Sequence, residues 1–136
     1  MIANGRAEGV ISAVAGGDVP GTLLVADDAP IVSRKRWLAS LPARGRLVLD
    51  DGAVDVLRNR GRSLLSVGVR EVSGTFTRGE MVSLVAADGT EVARGLINYN
   101  AEESGRIAGV SSREIEGVLG YLGDEELIHR DNLVLV

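Results

Sequence analysis

The sequence predicts an α+β fold, mainly β: a small barrel of short mixed strands with short helices attached. Three observations predict it. Between Gly61 and Gly95 the chain reads as a run of short apolar strands punctuated by glycines. Within that run, Met81 to Ala86 and Glu91 to Ile97 flank Ala87-Asp88-Gly89-Thr90. Asp-Gly between two apolar runs is a strong hairpin signal, because a type I′ turn needs positive φ at both central residues. Folding there pairs Val85 with Val92 and Met81 with Leu96 on one face, and Leu84 with Ala93 and Val82 with Gly95 on the other. Both faces carry apolar side chains, which suits a closed or nearly closed sheet.

Taken in order, the chain begins with Ile2-Ala3 as a scrap of strand and Asn4-Gly5 as a turn. Glu8 to Ala15 fits a short helix with Val10, Ile11 and Val14 on one side, stopped by Gly16-Gly17. Thr22 to Ala26, TLLVA, reads as a continuous apolar strand of the buried parallel kind. Strand, helix, strand is a βαβ unit, but this one is nearly missing its first strand and has no neighbours. The expectation is that residues 1–26 are the end of a larger domain, mobile or paired with another copy, and that a stable fold runs from about residue 44 onward.

Asp27-Asp28-Ala29-Pro30 is a linker by composition. Ser33 is placed to cap a helix from Arg34 to Leu41 that Pro42 ends, with Arg34-Lys35-Arg36 in its first turn. Trp37 and Leu41, four apart, share a face that would dock on the core. Gly45 to Leu49 is a strand. Asp51 is the expected cap of a helix from Ala53 to Arg60 that packs Val54 and Leu57 inward, and Gly61 suits its C′ position. Val67 to Val72 makes a third strand, and Gly74 to Gly79 turns the chain into the hairpin. Asn100 with Glu103 resembles a capping box, opening a helix that Gly109 ends. Ser111 with Glu114 repeats the pattern before Ile115, Val118 and Leu119. Leu127-Ile128 and Leu133 to Val136 suit the final strands.

With 136 residues, 45% hydrophobic and 25% charged, the composition is that of a soluble globular protein. Only four aromatics leave the core to Val, Leu, Ile and Ala. The absence of Cys removes disulfides, thiolate metal sites and a Cys nucleophile, and a single His removes multi-histidine metal sites. No apolar run approaches a membrane span and no signal pattern opens the chain, so the expectation is cytoplasmic, with no membrane partner. The net charge of −4 weighs against a general nucleic-acid binder. From residue 45 on there are ten basic and fifteen acidic residues, so any RNA contact must be a local arginine cluster.

His129-Arg130-Asp131 has the residues of a protein-kinase catalytic loop, but Asn132 follows at once and no Gly-rich phosphate loop is present. His129 reads as a turn residue, with Arg130 and Asp131 a surface pair. The carboxylate pairs at 27–28, 50–51, 102–103 and 125–126 diverge as neighbours do, and fall mostly at helix starts or linkers. No nucleophile, base and oxyanion donor assemble, so this chain is not expected to be an enzyme alone, and it offers no catalytic or metal-ligating residue. The better candidates are arginines. Arg58, Arg60 and Arg62 bracket a helix end and the glycine loop after it, followed by Ser63, an arrangement that suits phosphate contacts. Stabilisation of the helix C-terminus explains Arg58 and Arg60 equally well.

Gly45 to Ala53, Gly61-Arg62-Ser63-Leu64-Leu65 with Gly68-Val69, Gly74 to Val82 and Ala93-Arg94-Gly95 together resemble a PUA domain. The resemblance implies a mixed-strand pseudobarrel with short helices, and RNA recognition through the helix-loop-strand region from Arg58 to Val69. Ile2 to Arg6, Gly21 to Leu24, Arg34 to Trp37, Arg106 to Gly109, Leu119-Gly120-Tyr121 and His129 to Asn132 further resemble the C-terminal portion of the glutamate 5-kinase family. That resemblance implies a βα(β) stub of an amino-acid-kinase domain over 1–26, a linker with a short helix over 27–44, and a PUA domain with its tail over 45–136. It also implies that the parent enzyme phosphorylates glutamate with ATP and Mg²⁺ outside this stretch, leaving no cofactor in this chain. The implied partners are the N-terminal kinase domain, further copies in a homo-oligomer, and RNA as an alternative. The implied role of the module is regulation or assembly.

Overall fold

The computed structural model describes residues 1–18, 20–25 and 30–136, and divides the chain into two compact units, 1–30 and 31–136. The larger unit is built around a five-stranded sheet of order β4-β3-β5-β6-β7. Its strands are β3 (Gly45–Leu49), β4 (Val69–Gly74), β5 (Met81–Val85), β6 (Glu91–Leu96) and β7 (Leu133–Leu135). β3 runs parallel to β5, and every other pairing is antiparallel. The fold is therefore α+β with mixed strands and short helices, as expected. The sheet does not close: β4 and β7 stay unpaired on their outer edges among the described residues.

Alternation divides β5 cleanly. Val82 and Leu84 enter the main core with Leu47, Leu49, Ala93, Ile97 and Tyr99. Met81 and Val85 point to the opposite face and are nonetheless buried. The hairpin register agrees with expectation at Met81–Leu96, Val82–Gly95 and Leu84–Ala93, but Val85 lies opposite Glu91, not Val92. A bulge between Leu84 and Val85 shifts the register, and the turn explains it. Only Gly89 has positive φ, +86°. Asp88 does not, so the type I′ turn is excluded. The Gly89 N–H donates to Ala86 O and the Ala86 N–H to Thr90 O, each at 2.9 Å. This three-residue loop with glycine in the left-handed position is the next most favoured hairpin closure, and it brings one extra residue with it.

Two helices are set by their ends. In α3 (Asp51–Arg60) the Asp50 carboxylate accepts from the Ala53 N–H at 2.8 Å, so Asp50, not Asp51, is the cap. Gly61 at φ +55° terminates it, and Leu57 is buried. In α4 (Ala101–Ile107) Asn100 and Glu103 form a complete capping box, a device that stabilises a helix by about 1 kcal/mol. Ser111 makes no capping hydrogen bond; a 3-10 turn over Ser112–Glu114 leads into α5 (Ile115–Leu119) instead. The expected strand start at Val67-Gly68 is also a 3-10 turn, so β4 begins at Val69.

α2 (Pro30–Ser40) starts earlier than expected, which places Ser33 inside the helix and not at its cap. Its fully buried residue is Leu38, while Trp37 is 55% exposed and does not dock. Leu38, like Met81 and Val85, is buried but lies outside the main core cluster. The Arg34 guanidinium donates to Asn132 Oδ1 at 2.5 Å and Arg94 Nη1 to Ala39 O at 3.5 Å, which hold the helix in place.

The smaller unit has β1 (Ile2–Ala3), α1 (Val10–Ala15) and β2 (Gly21–Thr22). β2 pairs antiparallel with β1, so the expected parallel βαβ unit is not formed. Two residues of separate strand cannot sustain a crossover geometry, and Leu23, Leu24 and Val25 leave the sheet exposed at 56%, 66% and 75%. Ala26 and the acidic linker 27–29 lie outside the described residues.

Candidate nucleic-acid interface

The site residues follow from how α3 ends. Gly61 reverses the chain, and the next residues are drawn back to the far end of the sequence. The Leu64 N–H donates to Ile128 O, and Leu64 O accepts from both Leu127 and Ile128. The Ser63 hydroxyl accepts from the Arg130 N–H at 3.0 Å. These bonds tie together segments more than sixty residues apart. They create a groove of about 830 Å³ between the side of α3, the 60–68 loop and residues 126–130. Its floor is apolar, with Val56, Leu57 and Leu64, and its rim carries Arg60, Arg62 and Arg130 against Asp50 and Glu126.

Arg60, Arg62 and Ser63 therefore share one groove, and Arg58 does not line it. The charge of Arg58 acts instead at Asp88 on the hairpin turn. The Asp88 carboxyl is held below the usual range mainly by hydrogen bonds from the Thr90 backbone and hydroxyl, with a smaller pull from Arg58. Around the groove, Arg60 lies 3.9 Å from Asp55, and Arg130 lies 3.8 Å from Asp131. Among the described residues Arg62 has no ion-pair partner, which makes it the most available cation on the rim. His129 is a turn residue as expected: its Nδ1 accepts from the Asp131 N–H at 3.2 Å.

The groove is suited to binding. Guanidinium groups beside a hydroxyl and an apolar floor can take up an anion with a flat or apolar body. What the sequence reading did not bring to this site is Arg130 and His129. The only signal was the apolar pair Leu127-Ile128 just before them, which reads as strand but does not name its partner.

Elsewhere the charged groups work structurally. The Glu91 carboxylate accepts from Arg94 Nε at 2.8 Å and from the Ser83 hydroxyl at 2.7 Å. The Arg94 hydrogen bond first, and then that of Ser83, hold Glu91 below the usual glutamate range. The Tyr121 hydroxyl donates to Glu103, and this bond to a carboxylate pushes the phenol upward. Tyr99 is buried, its oxygen accepting from the Asp124 N–H at 2.9 Å and donating to Asp124 O.

The family model of the PUA domain matches residues 45–119. The chain belongs to the PUA domain family. Among curated relatives, glutamate 5-kinase of Hahella chejuensis is 57% identical over 137 aligned residues, spanning all of this chain and 36% of that protein. Glutamate 5-kinase of Saccharophagus degradans is 55% identical, spanning all of this chain and 37% of its own length. In both, the match falls in the C-terminal region. The chain thus spans little more than a third of the relatives it matches. A solved PUA domain from Aeropyrum pernix, crystallised as a tartrate complex, aligns with a TM-score of 0.46 and 22% identity over 63% of this chain and 41% of its own.

Proposed function

We propose that this chain is the PUA module of a glutamate 5-kinase and serves to regulate or assemble that enzyme. The observation that carries the reading is the identity to glutamate 5-kinases along the whole chain, on both sides of the PUA match. The whole protein would transfer the γ-phosphoryl group of ATP to the side-chain carboxylate of L-glutamate, with Mg²⁺, in the cytoplasm, as the first step of proline synthesis. ATP, Mg²⁺ and glutamate would be held by the N-terminal kinase domain, and no residue of this chain is assigned to them.

The test is removal of residues 45–136 from the full-length enzyme. Proline inhibition, divalent-metal dependence and subunit mass are then compared with the intact protein. A change in at least one is expected; equality in all three would sink the proposal.

An RNA contact is the second reading, and one observation favours it: Arg60, Arg62 and Ser63 line the same groove as Arg130. It predicts salt-sensitive RNA affinity, because bound phosphates release counterions. Replacing Arg60 and Arg62 with Ala should remove it, whereas Arg58→Ala should leave most of it. No RNA binding by the chain even at low salt would retire this reading.

A further inference from the structure

The chain holds five asparagines, and of these Asn4 alone is followed by glycine. The others have engaged side-chain amides: Asn59 donates to Asp55 and Asn98 to Glu126 O, while Asn100 accepts from the Glu103 N–H and Asn132 from Arg34. Asn4 and Gly5 are exposed in the turn between β1 and α1. The Ala7 N–H closes that turn by donating to Asn4 O at 3.0 Å. Within it the Arg6 N–H donates to Asn4 Oδ1 at 3.1 Å. Among the described residues nothing accepts from the Gly5 N–H, and a Cβ built on Gly5 would meet no atom within 4 Å.

These are the parts of an intramolecular acyl transfer. A carboxamide carbon is a poor electrophile, but a donor on its oxygen stabilises the charge that gathers there when a nucleophile adds. The Arg6 N–H is that donor. The nucleophile is the Gly5 nitrogen, one residue away in the same chain, so no encounter is needed. Its attack forms a bond to Asn4 Cγ, and its proton passes to solvent base. The Cγ–Nδ2 bond then breaks, and the amide nitrogen takes a proton and leaves as ammonia. Water opens the resulting cyclic imide at either carbonyl, breaking one carbon–nitrogen bond to give aspartate or its β-linked isomer, isoaspartate. Glycine suits this closure because it has no Cβ to obstruct the ring and the least restricted backbone.

Asp51-Gly52 and Asp88-Gly89 offer the same ring, and the structure blocks both. Gly52 lies inside α3, whose hydrogen-bonded backbone fixes the dihedrals that closure must change. At the hairpin the Gly89 N–H already donates to Ala86 O at 2.9 Å, and the Asp88 carboxylate is held by the Thr90 N–H at 2.9 Å.

We propose that Asn4-Gly5 is a site of spontaneous modification, at which the exposed turn converts Asn4 to aspartate and isoaspartate with loss of ammonia. Each conversion adds one negative charge to a chain of net charge −4. The isoaspartyl product also lengthens the main chain by a methylene beside Ala3, whose pairing with Gly21 holds β1 to β2. The change is confined to the smaller unit.

The test is incubation of the 136-residue chain at neutral and mildly alkaline pH, followed by trypsin, chromatography and mass spectrometry. Cleavage after Arg6 releases residues 1–6, in which conversion appears as the mass gain from amide to acid, in two separable products. The rate should rise with pH, since the attacking nitrogen must lose its proton. Gly5 does not have positive φ, so Gly5→Ala preserves the turn; it should slow conversion about tenfold. The peptides carrying 51–52 and 88–89 should show no isomer over the same period. A synthetic peptide of residues 1–6, which lacks Ala7 and hence the closed turn, is the reference, and the chain should react at least as fast. An intact Asn4 in the chain after that peptide has converted would mean that the turn protects it, and would overturn the proposal. So would a rate indifferent to Gly5→Ala, or isomer at Asp88-Gly89 as abundant as at Asn4.

Discussion

Residues 1–30 and residues 31–136 are built from similar amino acids and behave in opposite ways. The smaller unit has Ile2, Ile11, Val14, Leu23, Leu24 and Val25 all exposed, and none of its described residues reaches full burial. The larger unit buries side chains from every strand of its sheet. The difference is not hydrophobicity. A helix of six residues and two strands of two residues cannot sequester the apolar side chains they carry, whereas five strands with helices on them can. Apolar sequence therefore marks burial only where enough neighbouring elements exist to supply the second layer.

The largest expected effect that would sharpen this contrast is Leu84→Ala, which opens a cavity at the centre of the sheet and should cost about 3 kcal/mol in denaturant unfolding. Gly74→Ala comes next, at about 2 kcal/mol. Gly74 sits at φ +97°, and a Cβ there would lie 2.7 Å from Arg44 O, a backbone atom that cannot swing aside. Asn100→Ala removes the capping box of α4 and should cost about 1 kcal/mol by the same measurement.

Acid should act on the larger unit in a traceable way. Glu91 has a folded value below its unfolded one, chiefly through the Arg94 hydrogen bond. Its contribution is therefore complete above the ordinary glutamate range and disappears as pH falls through the lowered folded value. Glu91→Gln should flatten that part of the stability profile, measured by urea unfolding at stepped pH. The smallest effect belongs to the smaller unit: Ile11→Ser, at a site 82% exposed, should change unfolding by no more than about 0.5 kcal/mol. If Ile11→Ser cost as much as Leu84→Ala, the contrast between the two units would be broken.

Legibility followed distance along the chain. The Asp88-Gly89 hairpin, the Gly61 stop and the Asn100–Glu103 box were readable because each rests on atoms within a few residues of one another. Small errors arose where neighbours compete for one role, as with Asp50 over Asp51 at the α3 cap, or where an extra residue entered the hairpin loop and slid Val85 onto Glu91. Larger errors came from choosing a buried face without knowing what covers it. Leu38 rather than Trp37 was buried because α2 meets the sheet where Arg94 reaches Ala39 O. The candidate site was half visible: Arg60, Arg62 and Ser63 are adjacent in sequence, but Arg130 joins them only through Leu64 and Ile128.

By itself the sequence determined the β3 strand and the β5–β6 hairpin, the Gly61 end of α3, the Asn100–Glu103 start of α4, the mixed α+β class and the arginine-bearing loop, since each rests on backbone hydrogen bonds and caps satisfied locally. Tertiary structure alone decided that β3 runs parallel to β5, that the sheet stays open, and that the 61–65 loop meets residues 127–130. Those outcomes depend on which distant surfaces bury each other best, a sum over many weak contacts that no short stretch of residues contains.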